Sequence, residues 1–413
     1  MQFDKISVFG LGYIGLPTAA VLASSRREVI GVDINQNVVD TVNSGNVHII
    51  EPDLDAMVKN VVDTKFLRAS ISPEPANAFL ICVPTPFKKD YTPDLSFIES
   101  AVNAIAPVLK KGNLIILEST SPVGATEQLS EWLANARPDL IFPKNGSTAT
   151  DIHIAYCPER ILPGQMLREL VENDRVIGGL TAACSEAAKE LYGLFVEGNC
   201  ITTDARTAEM CKLVENSFRD LNIAFANELS IICDQQNIDT WELISVANRH
   251  PRVNILQPGV GVGGHCIAVD PYFIISQNPD TAKLISVGRQ VNKSKTSYVI
   301  QKIASKAEKE NTKNVIVLGI TFKPDIDDVR ESPALLVVTQ LLSEGYEIKV
   351  IEPNLTQLPD VLSSKGVQLI NSIDDLEDDD HCVVAVLVSH KAFKANSDKL
   401  LELDALDFCG VTK

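Results

Sequence analysis

A short apolar run, Ile6–Phe9, ends in Gly10-Leu11-Gly12-Tyr13-Ile14-Gly15; a segment of helical character, Pro17 to Ser24, then leads to a second apolar run, Val29–Val32, closed by Asp33. No other feature restricts the possible folds so strongly. Strand, glycine turn, helix and strand within about thirty residues form the βαβ unit of a parallel sheet. In such a unit the first glycine permits the tight turn, the second lets the main chain approach a pyrophosphate, and the third lets the helix pack on the strand. The helix start offers unpaired N–H groups and the positive end of its dipole. A carboxylate at Asp33 can bond ribose hydroxyls and repel a 2′-phosphate. Gly10, Gly12, Tyr13, Ile14, Gly15 and Asp33 are therefore expected to hold a dinucleotide, NAD rather than NADP. A purely structural glycine turn is the plain alternative.

More strand-like runs follow at Ala78–Val83, Leu114–Glu118 and His153–Cys157, separated by helical stretches. A doubly wound domain over residues 1–200 accommodates them. Residues 204–236 contain neither Gly nor Pro, and Met210, Leu213, Val214 and Phe218 recur at helical spacing behind a capping Asp204. The spacing predicts one long helix, a spine linking domains. Trp241–Asn248 continues the helical pattern, and a Pro/Gly-rich loop runs from His250 to Pro271. A second alternation begins near Asn314: strand at Val315–Leu318, helix at Pro333–Ser343, strand at Ile348–Ile351 ending at Glu352, and a buried strand at Val383–Val388. This region lacks the glycine fingerprint. The expected architecture is α/β, with two Rossmann-like doubly wound domains joined by a long central helix. Its divisions are an NAD-binding domain at 1–200, a central helical domain with a cysteine loop at 201–305, and a second Rossmann-like domain at 306–413.

Composition narrows the partners. A net charge of −17 argues against nucleic acid and anionic membrane surfaces. The longest apolar runs are strand-length, short of the ~20 residues that span a bilayer. Nine cysteines without any Cys-x-x-Cys pair fit neither a zinc ribbon nor a disulfide framework, so reduced thiols in the cytoplasm are expected. Met1–Lys5 leads straight into a strand, and no secretory leader is expected. The acidic run Asp374–Asp380 reads as a solvated surface rather than a metal site, and no metal site is expected elsewhere.

Several residues carry chemistry by type and position. Val83-Pro84-Thr85-Pro86 and Glu118-Ser119-Thr120-Ser121-Pro122 follow apolar strands, where C-terminal strand ends meet a cofactor. Thr85, Thr120 and Thr126 can offer hydroxyls there, though helix capping explains each equally well. On the long helix Lys212, Asn216 and Arg219 share one face; Lys and Asn suit acid–base work and oxyanion stabilisation, while a solvated face is the bland reading. Cys266 lies in Pro258-Gly259-Val260-Gly261-Val262-Gly263-Gly264-His265-Cys266, with Asp270 four residues on. A thiolate there could trap an aldehyde as a thiohemiacetal able to lose a second hydride. The other cysteines lie mostly in apolar stretches, where inert packing is the default.

Together these residues resemble the UDP-sugar 6-dehydrogenase family, essentially end to end. The likeness runs through the glycine fingerprint, Cys157-Pro158-Glu159-Arg160, Lys212 with Asn216, the Cys266 loop, and Phe322-Lys323-Pro324-Asp325 followed by Arg330-Glu331-Ser332. The resemblance implies NAD in the first domain and a nucleotide sugar held largely by the C-terminal one. It implies Cys266 as nucleophile, Lys212 as base or oxyanion stabiliser, Asn216 and Thr120 positioning water and hydroxyl, and Asp270 supporting them. It places Glu159, Arg160 and Ile161 against the substrate, with Glu159 also a candidate for activating the hydrolytic water. Lys323 and Gly263 would face the sugar nucleotide and Arg330 the cofactor phosphates. Arg252 would reach across a homodimer interface into the neighbouring site.

His265 before the cysteine, Ile267-Ala268-Val269-Asp270 after it, and the loop Asn248–Leu256 look like the branch acting on 2-acetamido sugars, closest to the UDP-N-acetyl-D-mannosamine 6-dehydrogenases of bacterial surface-polysaccharide synthesis. Arg160, Arg219, His250 and Arg252 are the groups expected to sense the acetamido substituent. Three alternatives stay open at this level: the same oxidation of UDP-N-acetylglucosamine, a two-electron hydroxyacid dehydrogenase, and a non-catalytic nucleotide-sugar sensor.

Overall fold

The computed structural model describes residues 2–88, 90–144, 150–161, 164–375 and 381–413; most of the acidic run, residues 376–380, lies outside them. The chain divides into two compact units, Met1–Val214 and Glu215–Lys413. In the first unit the strands are β1 (Lys5–Phe9), β2 (Glu28–Val32), β3 (Leu67–Ser70), β4 (Ala78–Ile81), β5 (Leu114–Leu117), β6 (His153–Tyr156), β7 (Arg175–Gly179) and β8 (Cys200–Asp204). Among the described residues they form one sheet in the order β3-β2-β1-β4-β5-β6-β7-β8. All neighbours are parallel except β6 and β7. Because β1 sits mid-sheet with helices over both faces, it must be apolar on both sides. Ile6, Val8 and Phe9 are accordingly buried, Ile6 and Val8 in one core cluster and Phe9 in the other. Each such side chain contributes about 1.5–3 kcal/mol of burial.

The second unit holds β9 (Asn314–Leu318), β10 (Glu347–Ile351), β11 (Gln368–Ile370), β12 (Cys382–Val386) and β13 (Leu406–Asp407), all parallel, in the order β11-β10-β9-β12-β13. That order repeats the first five positions of the first sheet. The local chemistry repeats as well. Gly10 has φ +85° and its N–H donates to the Val32 carbonyl at 2.8 Å, while Leu11 N donates to Asp33 Oδ2 at 2.9 Å. Gly319 has φ +88° and donates to Ile351 at 2.9 Å, while Ile320 N donates to Glu352 Oε2 at 2.9 Å. The second domain thus keeps the first glycine and the terminal carboxylate of the motif whose full spacing its sequence lacks.

The long helix spans Ala205–Gln236, 32 residues, and Asp204 caps it by accepting from Thr207 N at 2.9 Å. A second long helix spans Lys283–Lys309. Within the second unit the two are registered by buried polar contacts: Arg289 Nη1 donates to Asp220 Oδ1 at 2.6 Å, and Asn227 Nδ2 to Asn292 Oδ1 at 2.9 Å. None of the nine cysteines forms a disulfide. Among the described residues no helix is long and apolar enough to cross a membrane.

Candidate active site

In the first unit the glycine turn is shaped for close approach. A Cβ on Gly15 would lie 1.7 Å from the Gly10 carbonyl oxygen, so the helix Gly15–Ser24 packs on β1 only with glycine there. A Cβ on Gly12 would meet nothing within 4 Å, which leaves its face open to a ligand. Tyr13 is exposed, and Ile14 precedes the first helical residue. Asp33 accepts Leu11 N through Oδ2 and Asn35 N through Oδ1, each at 2.9 Å. These bonds aim the carboxylate at the C-terminal edge of the sheet beside the glycine turn. An open glycine face, a helix start and an oriented carboxylate fit the phosphates and ribose of a dinucleotide.

Two of the three threonines have structural duties. Thr85 Oγ1 donates to the Thr120 carbonyl at 2.6 Å, tying together the loops after β4 and β5. Thr126 is fully buried and its hydroxyl donates to Glu209 at 2.6 Å. Glu209 also accepts Gly124 N at 2.6 Å and Thr126 N at 2.8 Å, so it caps the helix Ala125–Ala136. Thr120 itself is half-buried.

After β6 the turn at Glu159, Arg160 and Ile161 is held from within. Arg175 Nη1 donates to Glu159 Oε2 at 2.8 Å, and Arg160 N donates to Glu159 Oε1 at 2.6 Å. The Glu159 carbonyl accepts from Lys212 Nζ at 2.7 Å. Arg160 and Ile161 are half-buried.

In the second unit Asn216 Nδ2 donates to Asp270 Oδ2 at 2.5 Å, and both residues are buried. Asn216 lies one turn beyond Lys212 on the same helix. Asp270 N and Val269 N both donate to the Cys266 carbonyl, at 2.9 and 3.0 Å, so a closed turn sets the cysteine just before the helix Asp270–Gln277. Cys266 is the exposed one among the nine cysteines. Its loop lies against the Phe322–Pro333 segment: a Cβ on Gly263 would be 2.4 Å from the Glu331 carbonyl oxygen. The Arg330 side chain donates to Asp328 from Nη2 to Oδ2 at 2.6 Å and from Nε to both carboxylate oxygens at 3.0 Å. Desolvation, with repulsion from Arg330 second, lowers the pKa of His265 and keeps its imidazole neutral at pH 7. Lys323, Arg219, His250 and Arg252 are exposed, and Arg252 N donates to His250 Nδ1 at 3.3 Å.

Three family models match in succession: the NAD binding domain of the UDP-glucose/GDP-mannose dehydrogenase family over residues 4–196, its central domain over 206–294, and its UDP binding domain over 316–405. The chain belongs to the UDP-glucose/GDP-mannose dehydrogenase family. A UDP-N-acetyl-D-mannosamine dehydrogenase from Campylobacter jejuni is 60% identical over 404 residues, covering 97% of this chain and 99% of that protein. An NDP-N-acetyl-D-galactosaminuronic acid dehydrogenase from Ralstonia nicotianae is 57% identical, covering 100% and 97%. The solved structure of a UDP-N-acetyl-mannosamine dehydrogenase from Staphylococcus aureus superposes with a TM-score of 0.84 at 42% identity, covering 99% and 96%.

As a member of this family the chain is an NAD-dependent oxidoreductase of nucleotide sugars. Sequence reasoning passed over Arg175, Glu209, Glu352 and His390, all buried. His390 Nδ1 accepts Asp325 N at 2.9 Å, and its Nε2 lies 3.2 Å from Glu352 Oε2; together they pin the loop that carries Lys323. Only Glu352 carried a signal: it follows β10 as Asp33 follows β2.

Asp33→Asn should narrow the preference for NAD over NADP by about 10-fold or more, ~1.4 kcal/mol, because the amide neither repels a 2′-phosphate nor accepts with both atoms. Steady-state kcat/KM for each cofactor measures this, and an unchanged ratio would put the selectivity elsewhere.

Proposed function

We propose that the chain is a cytoplasmic UDP-N-acetyl-D-mannosamine 6-dehydrogenase that carries the sugar's C6 alcohol through to the carboxylate, for bacterial surface-polysaccharide synthesis. The observation that carries this reading is the full-length, 60% identity with an enzyme of that name. NAD, when bound, accepts a hydride at each of the two oxidations.

The protein's own groups divide the remaining work. Lys212 stabilises the alkoxide as the C6 hydroxyl loses its proton, or takes that proton as base, while the C6 carbon gives up its hydride. Cys266, exposed at the mouth of its loop, captures the resulting aldehyde as a thiohemiacetal. The second oxidation turns this adduct into a thioester, which water opens to the uronate and the thiol. Asn216, locked by Asp270, and Thr120 position the hydroxyl and the water. Arg160, Ile161, Arg219, His250, Gly263 and Lys323 hold the sugar nucleotide. Arg330 serves the cofactor phosphates once it yields its contacts to Asp328. Glu159 lines the same turn; to activate the hydrolytic water its carboxylate would have to leave Arg175.

The Ralstonia relative favours a second reading, with a galactosamine-configured sugar as substrate. A panel of UDP-N-acetylmannosamine, UDP-N-acetylgalactosamine, UDP-N-acetylglucosamine and UDP-glucose with NAD separates these. UDP-N-acetylmannosamine is expected to exceed UDP-glucose by at least ~100-fold in kcat/KM, ~2.7 kcal/mol. A group placed to bond the acetamido substituent is left unpaired when that substituent is missing. UDP-glucose as the best substrate would contradict the reading of His265 and Ile267–Val269.

A homodimer completes the proposal, with Arg252 entering the neighbouring site. It is supported by an apolar face on the long helix, where Phe218, Phe225 and Ile232 are 66%, 56% and 41% exposed. Arg252→Ala should raise KM for the sugar nucleotide about 10-fold, roughly the worth of one charged hydrogen bond, and leave KM for NAD unchanged. A fully active monomer in sedimentation at assay concentration would defeat it.

A further inference from the structure

The segment that carries Cys266 is fastened on both sides of the cysteine, and the reaction as set out above uses only one of the fastenings. Asn216 holds Asp270, four residues beyond the cysteine. On the other side Gly259 N, seven residues before it, donates to Asn227 Oδ1 at 2.9 Å. Asn227 follows Asn216 by eleven residues, close to three turns, so both amides stand on one face of the helix Ala205–Gln236. One rigid element thus grips both ends of the segment.

The Asn227 amide has a single satisfactory orientation. Gly259 N–H can only donate, so the atom facing it is oxygen. Asn292 Nδ2 donates to the Asp220 carbonyl at 3.0 Å and to Asp220 Oδ1 at 2.8 Å. That leaves Asn292 Oδ1 to accept from Asn227 Nδ2 at 2.9 Å. Asp220, Asn227 and Asn292 are all buried, so an acceptor lost among them leaves its donor unpaired. Beside this amide pair, Thr296 Oγ1 donates to the Val260 carbonyl at 2.9 Å. Gly261, at φ +141°, has no room for a side chain, since a Cβ would lie 2.8 Å from Thr296 Oγ1. From Gly259 to Gly261 the main chain is therefore laid against the helix Lys283–Lys309, despite its glycines.

We propose that Asn227 is a positioning residue for Cys266: through Gly259 it fixes the start of the loop, so that the thiol stands ready when the aldehyde forms. This rests on the role given to Cys266 above. Glycines at 259, 261, 263 and 264 give the loop freedom to wrap a ligand, and the bond to Asn227 removes that freedom at its origin. Capture of the aldehyde demands placement: the sulfur adds to the carbonyl carbon, and the carbonyl oxygen takes up the thiol proton. The first hydride transfer involves no sulfur. A slack loop should therefore spare the first oxidation and slow the capture.

Two readouts test this on the whole chain, with folding checked by circular dichroism. Amide hydrogen exchange followed by mass spectrometry needs no substrate. In Asn227→Ala the peptide covering 258–266 should exchange at least about 10-fold faster than in wild type, while peptides of β9 and β10 keep their rates. With saturating UDP-N-acetylmannosamine and NAD, uronate formation should fall about 10-fold, hydroxylamine should trap aldehyde, and NADH per sugar should drop below two. Ile303→Val, a core change on the helix Lys283–Lys309, should release no aldehyde and still give two NADH. Thr296→Val frees the Val260 carbonyl and should move both readouts the same way by about 3-fold, so it decides the matter if Asn227→Ala does not fold. Unchanged exchange of 258–266 in a folded Asn227→Ala overturns the proposal. A slower Asn227→Ala enzyme that releases no aldehyde overturns it too, because the loss then precedes capture. A wild-type enzyme that stops at one NADH, or is inactive on UDP-N-acetylmannosamine, sinks the proposed reaction and leaves the exchange result to judge Asn227.

Discussion

Cys266→Ala is expected to lower the rate of uronate formation by at least about 1000-fold, ~4 kcal/mol, while the affinity for both ligands stays within a few-fold of wild type. Cys266 is an exposed residue, so alanine there leaves no buried cavity. Its carbonyl closes the turn onto Val269 and Asp270, and alanine preserves that carbonyl. The first oxidation does not need the sulfur. The variant should therefore form aldehyde, which hydroxylamine traps for mass spectrometry, with no more than one NADH per sugar. A Cys266→Ala enzyme producing uronate within about 10-fold of the wild-type rate would show that the thiol is not the covalent nucleophile.

Lys212→Met should reduce kcat by about 100- to 10,000-fold, the range for removing a positioned proton-transfer group or an oxyanion donor. Methionine matches the length of the stem and keeps the helix, so the change is confined to the ammonium and its bond to the Glu159 carbonyl at 2.7 Å. Loss of a group that acts only as charge develops lowers kcat and kcat/KM together and leaves KM nearly unchanged. If KM instead rose with kcat preserved, Lys212 would be a binding residue and the first oxidation would need another stabiliser.

How far the residues could be read without coordinates depended on whether structure followed from local pattern. The first βαβ unit was legible because glycine spacing, apolar runs and Asp33 all act within one supersecondary element. The helix Ala205–Gln236 was equally plain, because nothing within it breaks the pattern and Asp204 stands before it. The helix Lys283–Lys309 was not, and a glycine, Gly288, sits within it. In the fold that glycine marks contact: a Cβ there would lie 2.6 Å from Leu221 Cδ2, so it lets the two long helices approach. β8, half-exposed and polar, and the antiparallel turn of β7 against β6 have pairings that only the assembled sheet reveals.

The site divides in the same way. Cys266, Lys212, Asn216 and Asp270 stand out because their residue types and spacing are chemical. The groups that orient them do not. Arg175 lies sixteen positions from Glu159 in sequence and reads as an ordinary charged residue at a strand start. His390 and Glu352 are 38 positions apart, and only a parallel sheet brings their strand ends together. The second domain's Rossmann turn was hidden for a related reason, because Gly319 and Glu352 survive there while the intervening glycines do not.

The most direct test of a covalent four-electron oxidation is a count of NADH formed per UDP-N-acetylmannosamine consumed, under limiting sugar with excess NAD and with the product identified by mass spectrometry. Two NADH and a C6 carboxylate per sugar are expected, with no aldehyde released. One NADH with free aldehyde as the end product would contradict the role of Cys266 and leave a two-electron dehydrogenase in its place.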